Sequence, residues 1–194
     1  MNSISVSAPD VDVFWGEVAP SEHMVQFYSE ESQFVVTLGR FVEDGLRKGE
    51  AVVVIATASH VSSLEARLVA QGIDLAAFRA DGAYTALDAA STLSAFMRDG
   101  WPDEELFHSV IEGVLVESRG GRRRARAFGE MVALLWAQGH HGATVRLEYL
   151  WAELCKRDGV SVFCAYPKIG LTRDLEESLQ EVCALHTQVC RIAT

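Results

Sequence analysis

The side chains of this sequence that are best suited to chemistry fall at predicted strand ends, in the turns beside them, or on the last predicted helix. They are histidines, carboxylates, cysteines and a tyrosine: His23, His60, Asp88, Glu130, Cys164, Tyr166, Cys183 and His186. Parallel strands all end on the same side of a sheet, and open α/β folds bind ligands in the crevice beyond those ends. We therefore expect several of these side chains to meet at one rim.

Glu130 is the first of these candidates by position. A short apolar strand is predicted to emerge from the basic run 122–126, and a helix carrying Met131, Leu134 and Trp136 follows directly. The carboxylate is thereby placed at the carboxyl end of a strand, where ligands are expected. The alternative is a structural role, because the first turn of a helix favours a negative side chain.

The other candidates also have structural interpretations. Asp88 can cap the helix that follows it, and Cys164, in an apolar strand, can be a small core residue. Trp136 has helical spacing typical of the core, although ligand pockets are also lined with aromatic side chains. His140 and His141 lie in a glycine-flanked turn, which favours solvated loop residues over ligands.

Sequence motifs for common cofactors are missing. The phosphate loop GxxxxGK[ST] does not occur, nor does GxGxxG after a strand or a GxSxG nucleophile elbow, which argues against ordinary ATP hydrolysis and hydride transfer. No dense metal-ligand motif is present, so the sequence assigns no metal. A metal or haem site that uses His23, His186 or a cysteine stays an alternative, because Cys183 and His186 are spaced to share one helical face.

Composition narrows the class of protein. The 194 residues suffice for one domain, and a net charge of -10 argues against nucleic acid or an anionic membrane as a direct partner. The basic run 122–126 is predicted to be a solvated loop. Four cysteines without a CxxC pair or a secretory signal indicate a reduced, cytoplasmic location, and no apolar run is long enough to span a bilayer.

Helix and strand patterns alternate along the chain, which predicts an α/β fold with a mostly parallel central sheet and helices on both faces. Strands are expected at 23–28, 51–56, 83–87, 126–129 and 160–165. Residues 171–192 are predicted to form one amphipathic helix. We expect an N-terminal arm over 1–21, a domain over 22–168, and a C-terminal helical segment over 169–194 that packs on the domain or on a partner.

Several short segments form a pattern in their order and spacing. They are His23-x-x-Gln26-Phe27-Tyr28, Gly45-Leu-x-x-Gly49-Glu50-Ala51, Phe128-Gly129-Glu130-Met131-Val132, Leu147-Glu148-x-Leu150-Trp151, Cys164-Ala165-Tyr166-Pro167 and Val182-Cys183-x-x-His186. Together they resemble the MEDS domain, the methanogen/methylotroph, DcmR-type sensory domain. The similarity covers roughly residues 23–186, and the combination is more specific than any single segment.

The resemblance implies a sensory module of the kind found beside histidine kinase, anti-sigma-factor-like and DNA-binding output domains. Such modules are associated with small, hydrocarbon-derived or otherwise unidentified ligands. The resemblance also implies a distant similarity to the RecA/KaiC-type ATPase fold, a degenerate P-loop NTPase fold in this chain. On that alignment 126–135 occupies the place of the Walker B strand, and Glu130 lies at or beside the acidic position that organises magnesium and water. Loss of the phosphate loop implies loss of catalysis.

We therefore expect a non-enzymatic, cytoplasmic signalling module that binds a small ligand at the carboxyl edge of its sheet. The expected ligand-binding residues are His23, Tyr28, Asp88, Glu130, Trp136, Cys164, Tyr166 and His186. The expected partner is a signalling protein such as a histidine kinase or transcription regulator, with a homodimer as a further possibility and the cofactor unknown. The alternatives are a protein-interaction adaptor without a ligand and a degenerate nucleotide-binding protein. No output domain is recognised in these 194 residues, which suits either a stand-alone sensor or an excised input domain.

Overall fold

The protein is described here by a computed structural model covering residues 19–120, 124–168 and 176–191. The strands of this part of the chain are β1 (His23–Tyr28), β2 (Ala51–Ala56), β3 (Tyr84–Asp88), β4 (Met97–Arg98), β5 (Trp101–Pro102), β6 (Ala125–Gly129), β7 (Ser161–Pro167) and β8 (Gln188–Arg191). Six of them form one sheet in the order β3-β2-β6-β7-β1-β8, and every pairing in it is parallel. The short strands β4 and β5 form a separate antiparallel pair.

Helices cover both faces of the sheet, which confirms the predicted α/β class. They are α1 (Glu31–Arg47), α2 (Ala58–Ala70), α3 (Leu75–Ala80), α4 (Ala89–Phe96), α5 (Glu104–Arg119), α6 (Met131–Ala137), α7 (His141–Asp158) and α8 (Glu176–Ala184). The first three contribute to the core on one face, and the other five contribute to the core on the opposite face. None of the helices in the described ranges is long and apolar enough to cross a membrane.

The strand β2 shows how sequence determines this layering. Its residues are Ala-Val-Val-Val-Ile-Ala, and all six are buried. β-Branched residues fit the pleated backbone, and a strand with no polar face can only lie between two covered faces. Val52 and Val54 accordingly contact the core under α1 and α2, whereas Val53 and Ile55 contact the core under α4 to α7.

The end of the chain differs from the single amphipathic helix predicted over 171–192. The helix α8 ends at Ala184, and β8 then pairs in parallel with β1. The junction is held by Thr187, whose N–H donates to the carbonyl oxygen of His23 at 2.7 Å. Without β8 this edge of β1 would expose unpaired backbone groups, and pairing them outweighs the helical spacing of the apolar residues. Residues 1–18 of the predicted arm, 169–175 and 192–194 lie outside the described residues.

Arg126 also differs from its prediction as part of a solvated basic loop. It is 1 % exposed and lies inside β6, whereas Arg124, just before the strand, is exposed. Its Nε donates to Glu50 Oε2 at 2.6 Å, and its Nη1 donates to the carbonyl oxygen of Phe41 at 2.9 Å. A Cβ atom at Gly45 would lie 2.7 Å from this side chain, so the guanidinium packs where α1 has no side chain. The sequence predicted the strand correctly. The alternation of side chains along that strand directs Arg126 into the core.

Replacement of Arg126 by Met should lower the free energy of unfolding by about 3–5 kcal/mol, because Glu50 would keep a buried charge without its cation. Urea unfolding followed by circular dichroism measures the difference. Arg47→Met is the matched control: its ion pair with Glu43 is exposed on the arginine side, and we expect a change of about 0.5 kcal/mol or less. Equal effects of the two substitutions would contradict a structural role for the buried pair.

Candidate functional site

A cluster of polar side chains lies at the carboxyl edge of the sheet, where β6 and β2 end. We call it the edge cluster; its members are Tyr28, Glu31, Thr57, His60 and Glu130. The backbone N–H of Glu130 donates to the carbonyl oxygen of Ile55 at 2.9 Å, which extends the ladder between the two strands by one residue. The Glu130 side chain is thereby directed toward the start of α2, and the strand ends determine its position.

The Glu130 carboxylate is held by two residues at the start of α2. Its Oε2 accepts hydrogen bonds from the N–H of Thr57 at 2.7 Å and from the Thr57 hydroxyl at 3.2 Å. Its Oε1 lies 2.8 Å from Nδ1 of His60. Oε2 of Glu130 therefore lies at the positive N-terminal end of α2. Glu130 itself stands at the start of α6.

His60 connects Glu130 to the start of α1. Its second ring nitrogen, Nε2, lies 3.3 Å from Glu31 Oε1. Both ring nitrogens thus face carboxylate oxygens, which only accept hydrogen bonds, and this arrangement favours the charged imidazolium. The hydrogen bond to Glu130 raises the pKa of His60 above its usual value of 6.5.

Tyr28 and Phe34 supply an apolar side to the edge cluster. Their rings are stacked with centroids 4.7 Å apart, and the Phe34 ring also meets His60 edge-on at 5.0 Å. Burial, together with the charges of Glu130 and Glu31, raises the pKa of Tyr28 to about 12. Its hydroxyl is therefore a neutral donor at physiological pH, beside groups that accept hydrogen bonds.

The connection from β1 to α1 has no room for a phosphate loop. Only Ser29 and Glu30 separate the strand from the helix, and neither is glycine. A phosphate-binding loop wraps backbone N–H groups of several residues, many of them glycine, around the anion. Here the helix begins with Glu31, whose charge repels an anion from the same position.

A second group of polar side chains is enclosed between the sheet and α7. We call it the buried cluster; its members are His23, Glu148, Cys164, Tyr166 and His186. Glu148 is completely buried at its centre. Its Oε1 accepts from the Tyr166 hydroxyl at 2.5 Å, and its Oε2 accepts from the Cys164 thiol at 3.3 Å. The same Oε2 lies 3.2 Å from Nε2 of His23 and 3.3 Å from Nε2 of His186.

Backbone contacts orient the two imidazole rings of the buried cluster. Nδ1 of His23 lies 3.1 Å from the carbonyl oxygen of Leu185, and Nδ1 of His186 lies 2.6 Å from that of Val182. A carbonyl oxygen only accepts, so Nδ1 carries the proton in both rings. The rings stack with centroids 3.8 Å apart, and both direct Nε2 toward Glu148.

Burial controls the protonation of this cluster. It lowers the pKa of His23, and it raises the pKa values of Cys164 and Tyr166 well above their usual range. Burial also acts to raise the pKa of Glu148, but His186 and His23, when protonated, outweigh it and hold that pKa below its usual range. The thiol and the phenol are therefore proton donors at neutral pH, and the carboxylate accepts from them.

The relationship of this arrangement to known proteins follows from comparison of the sequence and fold. The family model of the MEthanogen/methylotroph, DcmR Sensory domain, abbreviated MEDS, matches residues 22–187. The chain belongs to the MEDS family. No curated protein matches it significantly in sequence.

Solved structures show that this MEDS domain shares the KaiC-like, RecA-type fold. It is similar to a KaiC-like protein from the archaeon Pyrococcus horikoshii OT3, with a TM-score of 0.60, 15 % identity, and coverage of 90 % of this chain and 74 % of that one. A second protein from the same organism gives a TM-score of 0.57 at 13 % identity, covering 93 % of this chain and 86 % of its own. At such identities the likeness concerns the fold alone.

The predicted ligand-binding residues of the MEDS domain are divided between the two clusters. Tyr28 and Glu130 belong to the edge cluster. His23, Cys164, Tyr166 and His186 meet in the buried cluster instead of at the rim. Their assignment as ligand-binding residues stays a prediction.

Two predicted residues belong to neither cluster. Trp136 packs edge-on against Tyr166 with centroids 5.8 Å apart, and so borders the buried cluster. Asp88 caps α4 by accepting from the N–H of Ser91 at 2.7 Å, as its structural interpretation anticipated. Its exposed carboxylate at the end of β3 makes this local contact, which lowers its pKa.

Sequence reasoning did not assign a site role to Glu148, Thr57 or His60, although His60 was among the chemically capable residues. The burial of Glu148 could have been recognised from the sequence. The residue lies beside Leu147 and one turn from Trp151, on the apolar stripe of its helix. An acidic residue on a buried stripe requires partners. Thr57 carried only the weaker signal of a possible helix cap.

The edge cluster predicts a specific pH dependence. His60 has a folded-state pKa above 6.5, so its stabilising contribution should be complete below pH 6.5 and should be lost as pH rises through the folded-state value. Two-dimensional NMR of the imidazole resonances gives that pKa, and urea unfolding of wild type and His60→Gln across the same range gives the contribution. Glu130→Gln should return the pKa of His60 toward 6.5. A His60 pKa that does not respond to Glu130→Gln would contradict the pairing.

Proposed function

We propose that this MEDS domain is a sensory module that binds a small molecule at the edge cluster and transmits its presence to a protein partner. The observation that carries the proposal is the Glu130–His60 pair at the carboxyl edge of the sheet. This edge is where open α/β folds place ligands. Family membership supports the sensory role, and the partner class, a histidine kinase or transcription regulator, comes from the family resemblance.

The chemistry of the edge cluster selects the ligand class. Glu130, Glu31 and Glu30 disfavour an anion, whereas the half-buried ring of Tyr28, which stacks on the buried Phe34, suits a small apolar group. Glu130 and His60 can accept from and donate to a hydroxyl or amino group. A short hydrocarbon derivative with one hydroxyl or amino group therefore fits best, because its polar end replaces a contact of Glu130 and its apolar end packs on the partly exposed Tyr28 ring.

A route for the signal follows from which elements meet at Glu130. The carboxylate lies between the starts of α2 and α6, and His60 extends the network to Glu31 at the start of α1. A ligand that inserts between Glu130 and His60 exchanges contacts among three helices. It shifts the domain only if it binds one arrangement of these helices more tightly than the other. We propose that movement of α1 and α2 changes the surface that the partner contacts.

The alternative functions receive less support from this geometry. An adaptor without a ligand favours a Glu130 that is satisfied by backbone groups alone, but here the side chains of Thr57 and His60 also bond to its carboxylate. A nucleotide-binding protein requires donors for phosphate, and the two-residue connection before the acidic start of α1 offers few. Both alternatives remain outcomes of the experiment below.

The test is a binding screen of short alcohols and amines against the full chain. Thermal shift identifies ligands and calorimetry gives their affinities. Glu130→Gln should weaken binding by about 10- to 100-fold, because a charge-assisted hydrogen bond contributes roughly 1.5–3 kcal/mol. Asp88→Asn is the matched control, since Asn preserves the helix cap and Asp88 lies outside the edge cluster. Its affinity should equal that of wild type.

Two results would overturn the proposal. Ligands that bind Glu130→Gln and His60→Gln as tightly as wild type would remove the edge cluster from the binding site. Saturable, magnesium-dependent ATP binding that disappears in Glu130→Gln would replace the sensory assignment with a degenerate nucleotide site.

A further inference from the structure

In the buried cluster, several acceptor atoms face one another without a proton between them. Both histidines donate through Nδ1 to backbone carbonyls, so in the neutral rings each Nε2 presents a lone pair. Both lone pairs point at Oε2 of Glu148, which also carries only lone pairs when ionised. Nε2 of His186 makes no hydrogen bond, although the side chain is fully buried. The 9 % exposure of the residue comes from its backbone.

Protonation of the two rings is a poor solution to this arrangement. Two imidazolium ions facing one carboxylate would leave a net positive charge in a buried site, which is costly, and a single imidazolium would leave the other Nε2 lone pair facing Oε2 without a proton. A cation placed between the lone pairs satisfies all of them at once.

The distances between the four atoms fit a single ion. Nε2 of His23, Oε2 of Glu148, Sγ of Cys164 and Nε2 of His186 all lie within 4.8 Å of one another. Four of the edges measure 3.2, 3.3, 3.3 and 3.7 Å. A tetrahedral zinc ion, with bonds of about 2.0 Å to nitrogen or oxygen and about 2.3 Å to sulfur, holds its ligand atoms roughly 3.3–3.5 Å apart. Four of the six distances between the ligand atoms already have nearly this spacing.

We propose that His23, Glu148, Cys164 and His186 bind one divalent transition-metal ion of the zinc class. Two neutral imidazoles, one carboxylate and one thiolate carry a total charge that balances a dication. Binding displaces the thiol proton of Cys164, which leaves to solvent, and the thiolate sulfur takes its place on the metal. Nitrogen and sulfur ligands select zinc, cobalt or a similar borderline ion over magnesium or calcium, which prefer oxygen.

The surroundings of the cluster are those of a metal centre. Ligating histidines usually donate their second N–H to a carbonyl or carboxylate, and both rings here do so to Leu185 and Val182. The Tyr166 hydroxyl donates to Glu148 Oε1 and leaves Oε2 for the ion. The stacking of the two imidazole rings at 3.8 Å leaves no space for a porphyrin between them, so the geometry does not suit haem.

Four protein ligands and complete enclosure indicate a structural ion. Catalytic zinc sites keep one position open for water or substrate, whereas structural sites are closed by four side chains. The ligands come from β1, α7, β7 and the turn before β8, so the ion would tie the last strand to the centre of the sheet. This site is separate from the edge cluster, and the two proposals can fail independently.

The test uses the full chain purified without a histidine tag. Elemental analysis should find about one zinc per chain. After chelation under reducing conditions, titration with Co2+ should produce visible d–d bands and a near-ultraviolet sulfur-to-cobalt charge-transfer band, both saturating at one equivalent. Cys164→Ser should abolish the charge-transfer band. Cys155→Ser is the matched control: it removes another buried cysteine that lies outside the cluster, and it should keep the band.

Tyr166→Phe separates a metal centre from a hydrogen-bond network. It keeps all four ligands, so it should retain the cobalt spectrum while weakening metal affinity by roughly 10- to 100-fold. The proposal is overturned if the wild-type chain, folded by circular dichroism, gives neither bound zinc nor a cobalt spectrum at a several-fold excess of metal. It is also overturned if the charge-transfer band survives in Cys164→Ser, since the sulfur ligand would then be a different cysteine.

Discussion

A carboxylate removed from water must be satisfied by hydrogen-bonding or charged neighbours. Glu148 is such a carboxylate, and its neighbours come from several elements on one face of the sheet. It reaches from α7 toward the sheet and contacts His23 of β1, Cys164 and Tyr166 of β7, and His186 before β8. These contacts come from two strands and from the turn before a third. The positions of three neighbouring strands are thus coordinated through one side chain, in addition to their backbone ladders.

Arg126 has the corresponding role on the opposite face. Its guanidinium is buried between β6 and α1, where Glu50 and Asp44 balance its charge and the Phe41 ring packs against it. The sheet therefore carries one buried negative charge toward α7 and one buried positive charge toward α1. Apolar packing would tolerate several alternative helix positions, whereas charges with directional partners tolerate few.

The sequence predicted the layers of this fold better than it predicted the sites. Apolar runs such as 51–56 and the helical spacing of α1 depend on local pattern, which survives in a single chain. The mistaken helix beyond Ala184 and the mistaken exposure of Arg126 both arose from long-range pairing: β8 completes β1, and Arg126 finds Glu50. Neither partner is visible from local periodicity.

The division of the candidate residues into two clusters has the same origin. Knowing that a residue ends or begins a strand does not tell which strand lies beside it, and β1 lies between two strands from the end of the chain. His23 and Cys164 are 141 positions apart, yet they share one hydrogen-bonding network. The placement of Glu130 needed only its own strand and was predictable; the convergence on Glu148 needed the strand order.

The position of β1 between β7 and β8 has a consequence for how the protein is made. β1 leaves the ribosome well before its hydrogen-bonding partners β7 and β8, which lie much later in the sequence. The strands β2, β3 and β6 pair with one another and can associate in the growing chain, whereas β1 must wait with both edges open. Native pairings of such long sequence separation form slowly. Nascent chains should therefore remain open to chaperones until β7 and β8 have been synthesised, and the insertion of β1 between these two strands should complete the sheet.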